Sequence, residues 1–287
     1  MFQHVSRFVS QFRELEKKDL VRTNEEERRL EELKEKLTSL QAEEPRRQNR
    51  RCIAVLSLYP QAGASFLAGN VAYAMAGSGT NVTLCELPGT NSYLYFALDF
   101  ERRADQPAQT QLSSTLYMQN DCLRIHVDTP LKNKNSSHEA ADLLFRLSKE
   151  SSTVLIDISS SWKDRQMDRL LEMIDEIWVV FDSDIARLTR MILTEKPPSW
   201  WFGNYSKIRM IANKWNEKWN RSAIMKKVSG TLSLWNEGHA AFVSAVIPLF
   251  DGDKTFAAHS KAMLLLEQYP DEETCFSSLL HEKGRGL

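Results

Sequence analysis

The sequence predicts an α/β protein: a mostly parallel sheet with helices on both faces, preceded by a helical extension. Three observations lead there. From residue 51 onward, short β-rich runs alternate with helical ones, as in a parallel sheet wrapped by helices. Those runs are apolar almost throughout rather than alternating, which expects cover on both faces. Residues 1–50, in contrast, contain no glycine and are dense in Glu, Lys and Arg, so composition shifts sharply where the alternation begins.

The extension, 1–50, reads as two helical stretches and a linker. Phe2, Val5, Phe8, Val9, Phe12 and Leu15 recur at helical spacing. Leu30, Leu33, Leu37 and Leu40 follow a 3-4-3 step, an a/d seam about two heptads long. Such helices serve as cover for their own domain or as a docking or dimerising arm. The first could also make a peripheral membrane contact, although its polar face is not strongly basic. Glu43–Arg51 reads as the linker, and 51–287 as one domain.

Within that domain Cys52–Leu58 has strand length, and Phe66–Ala76 is small, apolar and helical. Val82–Glu86 and Leu123–Val127 are the next strands, and Ala140–Lys149 a helix. Thr153–Ile158 is a strand that carries Asp157 near its end. Helix Met167–Ile174, strand Ile177–Phe181, helix Ile185–Thr194 and strand Ile208–Ala212 follow. Phe242–Ile247 is the last strand, and helices at Lys254–Gln268 and Glu273–His281 close the chain.

Bulk properties exclude several classes. A formal net charge of −1 over 287 residues gives no whole-protein attraction to nucleic acid or anionic lipid, so no nucleic-acid partner is expected. The four cysteines (Cys52, Cys85, Cys122, Cys275) form no CxxC pair, and two lie inside apolar runs, as buried free thiols do. A reducing, cytoplasmic setting fits them. Met1–Lys18 carries charges throughout and lacks the apolar region of a secretory signal. No apolar run approaches the roughly 20 residues of a transmembrane segment.

The strand–loop–helix at 52–76 is the context that a phosphate-binding loop requires. A working loop needs glycines for close backbone approach, lysine to neutralise phosphate charge, and Ser/Thr to hold Mg²⁺. Here Gly63 and Ser65 stand at the right offset, while Ala64 occupies the lysine position. Taken alone, the pattern also suits an N-capped helix. Other candidates are weaker. Trp200, Trp201 and Phe202 either pack under a loop or form a partner-binding patch. Trp215 and Trp219 are spaced as one helical turn. His259 reads as structural, and the scattered histidines assemble neither a triad nor a metal site.

The order of landmarks resembles the ParA/MinD family of P-loop ATPases, whose Walker A motif reads KGGxGKT. Tyr59 falls at that family's signature lysine, Pro60 and Gln61 at its glycine pair, and Ala64 at its second lysine. Glu86 and Pro88 replace the aspartates after the second strand, and Asp157 matches the Walker B aspartate. Asp175–Val180, then Ile211-Ala212-Asn213-Lys214, then Val246-Ile247-Pro248 resemble the later landmarks. The resemblance covers 51–270 and implies a P-loop NTPase fold. It implies a nucleotide site at Gly63, Ser65, Asp157 and Asn213, the asparagine reading adenine. In that role Asp157 coordinates Mg²⁺; as a strand-end residue it merely caps.

The departures imply a pseudo-ATPase. Both lysines are missing, and unless Glu86 substitutes, so is the water-orienting aspartate; a cation such as Lys163 or Arg165, in the loop after the Asp157 strand, is a candidate replacement that no spacing supports. No catalytic residue and no cofactor is therefore expected, with ATP and Mg²⁺ left as the alternative. The family positions cargo in bacterial cells, and degenerate relatives of the CpaE/TadZ type act in pilus assembly. The resemblance thus implies a positioning, scaffold or assembly factor with protein partners, able to form a homodimer and to be recruited to the membrane or cell pole. The competing expectations are an ATPase with substituted catalytic residues and a regulator that binds nucleotide without cleaving it.

Overall fold

The apolar run predicted as the first strand lies in the middle of an eight-stranded sheet in the computed structural model of the protein. The structure describes residues 50–87, 92–103, 113–119, 121–128, 140–164, 167–216, 221–236 and 243–280. The extension with its Leu30–Leu40 seam, together with Arg165 and Trp219, lies outside them. The strands are β1 (Arg51–Ser57), β2 (Val82–Glu86), β3 (Ser113–Met118), β4 (Leu123–Asp128), β5 (Thr153–Ser159), β6 (Glu176–Phe181), β7 (Ile208–Trp215) and β8 (Val243–Pro248). Their order is β3-β4-β2-β5-β1-β6-β7-β8, and only β3 runs antiparallel, against β4. From β1 the chain builds outward on one side, returns as β5, then crosses to β6, β7 and β8 on the other. Right-handed crossovers to either side of one strand put helices on both faces. They also open a crevice at the carboxyl ends, where the order reverses.

Helix α1 (Ala64–Gly77) follows β1 directly and packs on β1, β2 and β5. It is apolar almost all round because it is covered twice, by the sheet beneath and by chain from the C-terminal region above. Gly69 permits that cover: a Cβ there would meet Leu264 Cδ2 at 2.8 Å. Asn70, buried, accepts the Leu266 amide at 3.0 Å and ties the same two segments.

Five sequence expectations change. Strand β3 was not predicted; it exists by pairing with β4, whose alternating burial marks a strand near the sheet edge. The expected helix Lys254–Gln268 is two, α9 (Gly252–Ser260) and α10 (Leu265–Gln268), numbered after α2–α8. Those are Tyr93–Ala97, Phe100–Arg103, Ala140–Glu150, Met167–Glu172, Ile185–Thr194, Ser199–Gly203 and Arg221–Leu232. The break falls at Ala262, at φ +54°, whose carbonyl accepts Arg103 Nη1 at 2.5 Å. Arg103 also pairs with Glu267 at 2.6 Å, so one half-buried guanidinium holds the corner without a glycine. The closing helix is a 3₁₀ stretch, Pro270–Phe276, followed by α11 (Ser277–Leu280). Strand β7 runs on through Trp215, which therefore starts no helical turn. His259 is exposed on α9 rather than packed.

The tryptophans among the described residues are packed, not displayed. Trp162, Trp200, Trp201 and Trp235 form a buried cluster with ring centroids 5.3–6.4 Å apart. Each indole N–H has an acceptor: Ser57 O for Trp162 at 2.9 Å, Trp162 O for Trp200 at 3.1 Å, Asn236 Oδ1 for Trp201 at 2.9 Å and Ile192 O for Trp235 at 3.0 Å. Truncating Trp201 would lose both the packing and the bond. Trp201→Ala is expected to cost about 3–5 kcal/mol in urea unfolding, whereas Phe202→Ala, at a half-exposed ring, stays within about 0.5 kcal/mol.

Candidate functional site

Strand β1 is buried along its length between β5 and β6, so the chain leaving it must turn sharply to enter α1. The turn is fastened residue by residue. The Leu58 amide donates to Val180 O at 2.8 Å, and the Ala62 amide to Tyr59 O at 3.3 Å. The Ala64 amide, first of α1, donates to Ser57 Oγ at 3.2 Å. Gly63 runs at φ +100°, and a Cβ on it would meet Asn213 Nδ2 at 2.4 Å. A side chain at 63 would therefore displace the loop as well as fill it.

Tyr59 points back into its own domain. Its hydroxyl donates to Asp182 Oδ1 at 2.9 Å and accepts the Asp182 amide at 3.2 Å. The Arg187 guanidinium stands 4.6 Å from the ring centroid. Burial and Asp182 both push the phenol up, so it stays neutral. Where the resemblance puts a lysine, this chain has an uncharged ring that anchors the loop to β6 and α6. The ring also walls an open concavity of about 560 Å³ along α6.

Of the predicted site residues, the structure brings Ser65 and Asp157 together through Ser159. Ser65 Oγ lies 3.1 Å from Ser159 Oγ. Asp157 Oδ1 accepts the Ser159 amide at 2.9 Å and its hydroxyl at 3.0 Å. Asp157 Oδ2 is buried without a hydrogen-bond partner. Burial pushes this carboxyl up, opposed by the neighbouring Ser65 and Ser159. A buried polar atom left unpaired is costly, and an ordered water or a cation satisfies it.

Asn213 meets the loop too. Its Nδ2 donates to Ala62 O at 2.9 Å, so its amide N–H clamps the backbone. Beside it Lys214 Nζ donates to Gln61 O at 2.7 Å, a contact that sequence reasoning missed. Asn-Lys stood out as a pair, but no periodicity says where a strand-end lysine reaches. The expected substitutes do otherwise. Lys163 pairs with Glu195 at 3.1 Å. Glu86, beside Asp157 in the β2–β5 register, accepts the Ser92 hydroxyl and the amides of Tyr93 at 2.8 Å and Leu94 at 2.9 Å. It fastens the start of α2 instead of facing a reacting water.

The fit to a metal–nucleotide ligand divides. Asp157 Oδ2 and the Ser65 hydroxyl suit a divalent cation, and the opening turn of the long helix α1 suits a phosphate. The phosphoryl-stabilising cations do not fit: positions 59 and 64 carry none. Among the described residues no group of His, Cys, Asp and Glu forms a metal cluster by itself.

No protein-family model matches the sequence, and no curated protein matches it. Solved structures do. The septum site-determining protein MinD of Pyrococcus horikoshii, complexed with Mg-ADP, superposes with a TM-score of 0.59 at 16% identity, covering 82% of this chain and 96% of that one. MinD in the MinC:MinD cell division complex of Aquifex aeolicus gives 0.56 at 14%, covering 83% and 97%. A ParA family ATPase of Chlorobium tepidum gives 0.55 at 17%, covering 81% and 99%. The chain therefore has the ParA/MinD-type P-loop NTPase fold. Among the described residues no helix is long and apolar enough to cross a membrane.

The Glu86 geometry has a measurable consequence. Burial, opposed by the Ser92 hydroxyl, pushes its carboxyl from 4.5 up to about 7. The folded state then binds this proton more tightly than the unfolded chain. The stability it contributes is full below the unfolded value and is lost as pH rises through about 7. In denaturant unfolding, stability is expected to fall by on the order of 3 kcal/mol between about pH 5 and pH 8 from this group, a slope that Glu86→Gln flattens. An unchanged slope in the variant would contradict the assignment.

Proposed function

We propose that this chain is a non-hydrolysing ParA/MinD-like protein that works as a positioning, scaffold or assembly factor through protein–protein contacts. The observation that carries the proposal is Tyr59: the residue at the signature lysine position is an uncharged ring bound to Asp182 of its own domain. Phosphoryl transfer on such a fold is mostly positioning and charge stabilisation. Losing a preorganised cation in a water-excluding site costs several kcal/mol of transition-state stabilisation, about 10²–10³-fold in rate for each donor lost. Ala64 compounds the loss, and Glu86 is engaged with α2 rather than free to orient water.

What such a fold without turnover retains is its surface. Large apolar side chains are exposed at Phe96, Leu193, Leu249 and Phe256, and these are candidate contacts for partners. A bacterial surface apparatus such as a pilus is the assembly suggested by the resemblance to CpaE/TadZ-type proteins. Homodimerisation and recruitment to the membrane or cell pole by partners belong to the same proposal.

A second reading, ATP binding with weak turnover, is favoured by Asp157, whose unpartnered Oδ2 sits beside Ser65. The two readings separate in one assay. Phosphate release from Mg-ATP by the full chain is expected to match that of Asp157→Asn, both at background. Mg²⁺-dependent release that drops at least about tenfold in Asp157→Asn would replace the scaffold reading with the ATPase reading.

A further inference from the structure

Helix α6 has two faces of different character. Leu188 and Ile192 turn inward and are buried, while Ala186, Arg187, Arg190, Met191 and Thr194 line the open concavity walled by Tyr59. The lining runs the length of this ten-residue helix, a trough of about 15 Å at 1.5 Å per residue.

Its charges are unevenly spent. Asp184 lies at one end, and its Oδ1 caps α6 by accepting the Arg187 amide at 2.9 Å. Glu195 lies at the other end and pairs with Lys163 at 3.1 Å. Asp182 accepts the Tyr59 hydroxyl at 2.9 Å and the Asp184 amide at 3.0 Å. The domain thus answers its own acids here. It does not answer the arginines: among the described residues neither the Arg187 nor the Arg190 guanidinium has a carboxylate or a hydrogen-bond acceptor. Arg187 is held in place all the same, because it stands over the Tyr59 ring that Asp182 fixes. A guanidinium stacked on an aromatic face keeps its in-plane N–H donors for a carboxylate.

We propose that this trough docks an extended acidic segment of a partner protein, with carboxylates at alternate positions set against Arg187 and Arg190. Charge complementarity selects the occupant, since two unanswered positive charges face a surface whose acids are already engaged. Spacing agrees. Helix residues three apart have Cβ atoms about 5–6 Å apart, and alternate residues of an extended chain share one face roughly 6.5 Å apart. A small free dianion would fill only part of a concavity of about 560 Å³ that is open along the helix. The inference deepens the scaffold reading and rests on it, because it names the chemistry of a partner. It also gives Tyr59 a second task, as the platform for Arg187.

The test is an NMR titration of the isotope-labelled full chain, read at the arginine side-chain N–H signals. The probes are the blocked peptide Gly-Glu-Ala-Glu-Gly, which spans about 15 Å when extended, its Gly-Gln-Ala-Gln-Gly counterpart, and free glutarate. Wild type is expected to bind the diglutamate peptide at least about 10-fold more tightly than the diglutamine one, with affinity that falls as salt rises. Arg187→Gln and Arg190→Gln should each weaken that binding about 10-fold, whereas Arg146→Gln, which removes an exposed charge from α4, should not. Arg190 is exposed, so its variant keeps the test intact even where Arg187→Gln disturbs the Tyr59 anchor. Glutarate bound as tightly as the diglutamate peptide would replace the docking surface with a small-anion site and overturn the proposal. Equal weakening by Arg146→Gln, or Arg187 and Arg190 signals unmoved by millimolar diglutamate peptide, would overturn it as well. Each of these outcomes leaves the scaffold reading standing; that reading fails separately, by Mg²⁺-dependent phosphate release that Asp157→Asn abolishes.

Discussion

At Gly63 the backbone runs at φ +100° with the Asn213 amide 2.4 Å from where a Cβ would sit. The rest of the loop end of the sheet depends on that vacancy. Because nothing occupies it, Asn213 can approach and donate to Ala62 O, and the bulge that aims Asn213 also brings Lys214 onto Gln61 O. The loop is thereby tied to β7 on one side. Leu58 and Tyr59 tie it to β6 on the other, and Trp162 fastens the end of β1 through Ser57 O. Four elements converge on one turn, and its shape follows from the domain's own hydrogen bonds.

This convergence separates two properties that a phosphate-binding loop usually combines. The loop keeps its shape, its opening helical turn and an acid–hydroxyl pair at Asp157 and Ser65. Positions 59 and 64 carry no cation. An aromatic anchor at Tyr59 and an alanine at 64 add packing where charge would otherwise stand, so structural economy and catalysis pull in opposite directions. Tyr59 buried against Asp182 and Arg187 secures the loop without a ligand. The loop of this ParA/MinD-type fold is held by its own domain at Tyr59, Asn213 and Lys214.

Much of this was legible in the sequence. Strand β1, the loop, α1 and β2 follow from apolar runs and the spacing of Gly63 and Ser65, and Val82–Glu86 and Ile185–Thr194 coincide with the observed bounds. Asp157 stands out because an acid interrupts an otherwise apolar strand. What was not legible depends on tertiary partners. Strand β3 is defined by its pairing with β4. The corner at Ala262 is held by Arg103, far away in sequence, and carries no glycine or proline as a local signal. Likewise the meeting of Lys214 with Gln61 requires a bulge and a left-handed lysine, neither of which leaves a periodic trace.

Amide hydrogen exchange across 57–67 in the ligand-free protein tests the central claim most directly, because it reads whether the domain's own contacts hold the loop. The amides of Leu58, Ala62 and Ala64 have acceptors within the domain and are predicted to be protected. Asn213→Ala removes the clamp at Ala62 O and should release Ala62 and Ala64 while leaving β1 protected. Rapid exchange of these amides in the wild type, indistinguishable from the variant, would contradict the account.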